Sequence, residues 1–120
     1  MFSYKSDRSF VIFSYSASHG QLLLRSRKSN EYSTRVDILI LDVRAIEMRC
    51  WFTGVKIEEI EQTYLAGRGS GPAEMIEPGN IVYKVKGENW EGFIVGGIAI
   101  IEEDDKEYGD PSGLLPAPRP

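Results

Sequence analysis

What this chain has little of narrows its chemistry. It contains one cysteine, Cys50, and one histidine, His19, in 120 residues. A lone cysteine forms no internal disulfide, and one of each falls short of the ligand sets that hold zinc. No run approaches the ~20 consecutive apolar residues that a membrane-crossing helix needs. The opening MFSYKSDRSF lacks the basic-then-apolar layout of a secretory leader. These absences lead to the expectation of a cytoplasmic protein. No long 3.6-residue period is present either, which argues against a helical bundle. The length suits one domain with a core of its own.

What is there in quantity is alternation, densest from Arg35 to Ile60. Successive strand side chains point to opposite faces. Val36, Ile38 and Ile40 share one face, and Leu39 and Leu41 share the other with Asp37. A strand apolar on both faces belongs inside a sheet. Beyond Asp42, the spacing predicts Ile46, Met48, Cys50 and Phe52 inward, with Glu47, Arg49 and Trp51 outward. Cys50 then reads as a small core hydrophobe rather than a reactive thiol. Val43 and Ala45 fall in the opposite phase, which implies a β-bulge near Ala45-Ile46. Gly54 reads as a turn, and the phase of Ile60 against Ile57 implies a second bulge near Glu59. An alternative for residues 55–64 is an amphipathic helix, since Ile57, Ile60 and Tyr64 fit helical spacing.

The rest of the chain repeats the strand–turn rhythm. Ser9 to Tyr15 reads as a first strand, rich in β-branched and aromatic residues. Gln21 to Lys28 is its hairpin partner, with Leu22 and Leu24 inward and Leu23, Arg25 and Arg27 outward. Residues 65–79, with Gly67, Gly69, Gly71 and Pro72, break the pattern and read as a flexible loop with at most one helical turn over 73–76. Ile81 to Lys86 and Trp90 to Glu102 are further strands. The inward phase of the latter changes at Gly96-Gly97, from Phe93 and Val95 to Ile98 and Ile100, so a bend is expected there. The expectation is an all-β domain over 1–107, a small antiparallel barrel or strongly bent sandwich of about 6–8 strands with bulges and little helix. The proline- and glycine-rich 108–120 reads as a loosely held tail.

Few constellations rise above composition. Ser18-His19 sits in a turn, where adjacent residues seldom reach the nucleophile–base geometry. GRGSGP at 67–72 lacks the lysine and Ser/Thr of a phosphate loop and opens no long helix. The acidic run from Glu102 to Asp110 lacks EF-hand spacing and reads as a solvated strand end. Glu58/Glu59 and Glu88/Glu91 show no burial that would make one carboxyl a general acid. No cofactor or metal is expected.

Charge distribution offers more. Residues 1–56 hold nine Lys/Arg against five Asp/Glu, while 57–120 hold five against thirteen. Arg25, Arg27, Lys28 and Arg35, with Tyr32 among them, form a basic hairpin carrying an aromatic. Outward Trp51 adds a residue type favoured at interface centres. These six are the candidate binding surface. The expected function is a non-enzymatic binding or assembly module that contacts another protein or a second copy of itself. One alternative is a small-ligand site at a barrel mouth near Tyr83, Trp90 or the 65–79 loop. The other is single-stranded nucleic-acid binding through residues 25–35, against which a pI near 5.0 weighs.

Overall fold

The alternating runs do form strands. The computed structural model describes residues 1–68 and 76–115. Among these lie β1 (Ser3–Ser16), β2 (Gln21–Ser26), β3 (Arg35–Ile40), β4 (Ala45–Glu47), β5 (Trp51–Ile60), β6 (Ile81–Gly87), β7 (Trp90–Gly96) and β8 (Ala99–Asp104). All pair antiparallel in one sheet, ordered β4-β7-β6-β5-β1-β2-β3-β8. The helix content of the described residues is one 3₁₀ segment, Gln62–Arg68. No helix among the described residues is long and apolar enough to cross a membrane. Residues 69–75 of the glycine loop, with Gly69, Gly71, Pro72 and most of the helical turn expected over 73–76, lie outside the described residues, as does the end of the tail, 116–120.

Two short connections force this sheet to roll. In the strand order β7 and β8 stand six spacings apart, which would be ~29 Å in a flat sheet at ~4.8 Å per strand. Yet only Gly97 and Ile98 separate Gly96 from Ala99, a span of at most ~11 Å. Residues 41–44 likewise carry the chain from β3 to β4, at the other end of the order. The two links interlock: the Gly97 amide donates to the Leu41 carbonyl at 2.7 Å, and the Leu41 amide donates to Ile98 at 3.0 Å. Gly96 and Gly97 permit this approach, because an added Cβ would sit 3.1 and 3.2 Å from the Leu41 oxygen. The expected bend is there. The sheet curls but stays open.

The core fills the inside of the curl. Phe10, Leu22, Leu24, Ile38, Ile40, Phe52, Ile57, Tyr83 and Ile94 share one buried cluster, although their strands span most of the sheet order. Phe93 and Val95 face the other way and pack with Val82 and Leu65 beneath the 3₁₀ helix.

Several local expectations are overturned. The stretch before Gly54 is not one bulged strand but β3, β4 and the start of β5: its phase slip at Ala45 marks the crossing from β3 to β4. The β5–β6 register runs unbroken from Lys56 to Ile60, so there is no bulge near Glu59 and Val55 to Ile60 is not helical. Gly54 is no turn but a strand residue at φ +76°, where the inward phase passes from Phe52 to Val55. The bulges lie instead in β1, at Asp7-Arg8 and at Phe13, where its pairing shifts register. Cys50 is exposed, because it lies between β4 and β5 rather than within a strand. Ile98 is 64% exposed and Ile100 37%, since Ile98 lies in the corner link itself and Ile100 on the outermost strand. Tyr83 is core and Trp90 packs on Phe52, so the inside of the roll is occupied where a ligand mouth was expected.

Candidate binding groove

Arg25 was expected outward and free; it is outward and covered. It faces Asp37 across the β2–β3 pairing, and both side chains are 0% exposed. The guanidinium forks onto the carboxylate, Nε to Oδ1 at 2.7 Å and Nη2 to Oδ2 at 3.0 Å. Arg35 lies alongside, its Nη2 3.6 Å from Asp37 and 3.2 Å from Asp104. The cover is the segment after β8. Arg25 Nη1 donates to the carbonyls of Tyr108 at 2.6 Å and Asp110 at 3.0 Å. Arg35 reaches those of Glu107, Asp110 and Pro111. Residues 107–112 therefore form a strap over the outer face of β2 and β3, so the first part of the expected tail is packed. Burial pushes the Asp104 carboxyl upward, but the Lys106 amide and the Arg35 guanidinium outweigh it and hold the group below its usual value. Arg35 is thus a framework residue and no contact surface.

Beside the strap opens a groove of about 560 Å³. Its banks come from three directions. Asp7, Arg8, Ser9 and Val11 line it from β1, and Trp51 and Thr53 from β5. Ser26, Arg27, Ser29, Glu31 and Tyr32 belong to the end of β2 and the following loop. Tyr108 of the strap and Arg25 complete it. The Arg25 guanidinium stacks 3.9 Å from the Phe13 ring, which meets Tyr108 edge-on. Trp51 is 66% exposed.

The β1 bulge sets this arrangement. Ser6 pairs with Val55 and Ser9 with Thr53, so Asp7 and Arg8 together oppose Gly54 alone. An extra residue kinks a strand and re-aims its side chains. Arg8 turns to the end of the roll, where Nε donates to Ser26 Oγ at 3.0 Å and Nη1 to Thr34 Oγ1 at 3.2 Å. Nη2 donates to the Thr34 carbonyl, and the guanidinium lies 4.3 Å over the Tyr32 ring.

Of the six residues singled out from sequence, Arg25, Arg27, Tyr32 and Trp51 line this one groove. Lys28 faces an adjoining depression and pairs with Glu107 at 2.9 Å; Arg35 lies beneath. Sequence reasoning missed Arg8, Asp7, Ser9, Glu31, Thr53 and Tyr108. A signal for Arg8 existed: Phe2, Tyr4, Phe10 and Ile12 share the inward phase, and Arg8 is the charged residue set among them. His19 is exposed in its turn. No three His, Cys, Asp or Glu among the described residues are placed to share a metal ion. Within the acidic run, Glu103 accepts from Thr34 at 2.5 Å, while Asp104 and Glu107 have the partners given above. Comparison with protein-family models, curated proteins and solved structures found no match.

Proposed function

We propose that this chain is a non-enzymatic binding module, working in the cytoplasm, that holds another protein through the groove between β5, β1 and the 27–34 loop. The observation that carries this reading is Trp51, two-thirds exposed on the bank of a groove that also presents Arg27 and Tyr32. Burying large apolar surface is the main drive for association, and Trp, Tyr and Arg are the residues that dominate interface energetics. A photo-crosslinking amino acid at position 51 tests it, with one at the exposed Lys86 as control. Protein adducts should form from position 51 and not from 86. Equal yields, or none at 51, would remove the groove from consideration.

A second reading, self-association, rests on a separate observation. β8 ends the sheet order and carries exposed Ile100 and Ile101, with exposed Ile98 just before it, an apolar edge of the kind that pairs with another strand. If copies join there, Ile100→Lys should reduce the mass seen by light scattering. An unchanged mass would reject that edge.

A further inference from the structure

We propose that the groove recognises an acidic side chain on an extended segment of the partner protein, and that Arg8 receives its carboxylate; this rests on the groove reading above. Three arginines of this region are buried, and the fold treats them differently. Arg25 and Arg35 meet Asp37 and Asp104. Arg8 is 5% exposed, yet its partners are two hydroxyls, one carbonyl and a ring. No carboxylate among the described residues forms an ion pair with it. Glu103 reaches it only through the Thr34 hydroxyl, and Glu103 does not line the groove. Removing a guanidinium from water costs several kcal/mol unless an opposite charge meets it. A guanidinium has five N–H donors; three are engaged here, and Arg8 lines the groove.

The neighbours say which anion fits. Arg27, exposed and without an ion-pair partner among the described residues, adds a second cation on the same groove. Asp7 and Glu31 line it as well. A nucleic-acid strand would bring one phosphate per nucleotide past those two carboxylates, and the chain carries a net charge of −4. A polypeptide avoids this conflict. It offers a single carboxylate to the planar guanidinium, the pairing that arginine forms best, and a neighbouring apolar or aromatic side chain can lie on Trp51. Asp7 and Glu31 then face neutral or basic residues of the same segment.

The test is selection of random peptides displayed on phage, followed by fluorescence-polarisation titration of the enriched sequences. Enriched peptides should share an acidic residue next to an apolar one. Changing that acid to its amide should weaken binding to wild type about tenfold or more, which is about 1.4 kcal/mol. Arg8→Met should cause a similar loss, Arg8→Lys a smaller one, and the amide peptide should lose nothing further on Arg8→Met. If Arg8→Met does not fold, the amide peptide on wild type and Arg27→Gln still decide. Peptides that depend on Trp51 but carry no acid, or bind Arg8→Met unchanged, would overturn this inference and leave the groove reading standing. A short oligothymidylate that binds more tightly than any peptide would overturn it in favour of nucleic acid. Failure to enrich any peptide would overturn both.

Discussion

Asp37→Asn should be among the most damaging conservative substitutions in the chain. Shape and size are kept, and one negative charge is lost from a site that is 0% exposed. Before the change, Arg25 and Arg35 share Asp37 and Asp104; afterwards two buried guanidiniums are left with Asp104 alone. The carboxylate oxygens that accepted two Arg25 donors at 2.7 and 3.0 Å are replaced in part by an amide that itself donates. Removing one partner of a buried pair typically costs about 3–5 kcal/mol. Native stability totals only about 5–15 kcal/mol, so a fifth of it or more is at stake. At about 4 °C per kcal/mol for a domain of this size, the melting temperature should fall by about 12–20 °C.

The measurement is equilibrium urea unfolding of wild type, Asp37→Asn and the double variant Arg25→Met with Asp37→Leu. The double variant removes both charges together and leaves Arg35 with Asp104 at 3.2 Å. Of the strap carbonyls that Arg25 held, that of Asp110 keeps its Arg35 donor, and that of Tyr108 belongs to an exposed residue and can turn to water. It should therefore be more stable than Asp37→Asn alone. Because the pair is dry, salt should change the Asp37→Asn penalty little. A loss below about 1 kcal/mol for Asp37→Asn, the range of a solvent-exposed pair, would refute the burial on which this reasoning stands.

Gly92→Ala should destabilise by about 3 kcal/mol or more, above the usual overpacking range. Its Cβ would lie 1.9 Å from the Glu47 carbonyl oxygen, so β4 must peel from β7; a melting temperature equal to wild type would contradict this. Gly97→Ala, at 3.2 Å from Leu41, should cost less in the same assay. Exposed Cys50 should react with a disulfide reagent at similar rates native and denatured, and strong native protection would place it in the core after all. Asp104 binds its proton less tightly folded than unfolded. Its contribution is therefore complete above its ordinary value of 3.8 and fades as pH falls through the lower folded value. Urea midpoints should drop over that acid range, and Asp104→Asn should flatten the drop; identical slopes would speak against it.

Sequence periodicity carried the class of this fold and much of its core. Strands need only local alternation to be visible, and Leu22, Leu24, Ile38, Ile40 and Phe52 all fall inward as their phase requires. The bend at Gly96-Gly97 was legible because two glycines coincide with a phase change. Misreadings came where a phase change has more than one cause. At Ala45 the cause is a crossing between sheet ends, which a one-dimensional pattern does not separate from a bulge; at Gly54 it is a left-handed residue inside a strand, which the pattern does not separate from a turn. The length of β1 was missed because Ser3 to Arg8 is polar on its outward phase, so only Phe2, Tyr4 and the charged Arg8 mark the inner one.

The arginines show the limit most clearly. A two-residue period says which face a side chain takes, not whether anything covers that face. Arg25 does point outward, as its phase requires, and is sealed by carbonyls more than 80 residues further along the chain. Nothing near Arg25 in sequence announces Tyr108 or Asp110. Arg27, two residues on and in the same phase, escapes the strap and stays exposed. Arg8 takes the inward phase, where a charge is unexpected, and emerges at the end of the roll because its strand bulges. Three basic residues that look alike in sequence thus divide into a structural ion pair, a free surface cation and a buried guanidinium without an acid. Replacing Arg25 and Arg27 together would confound the first role with the second, since loss of Arg25 strands Asp37 in the dry interface. Arg27→Gln alone probes the surface. If it weakens peptide binding while the urea midpoint stays at the wild-type value, the cation acts in the groove and not in the fold.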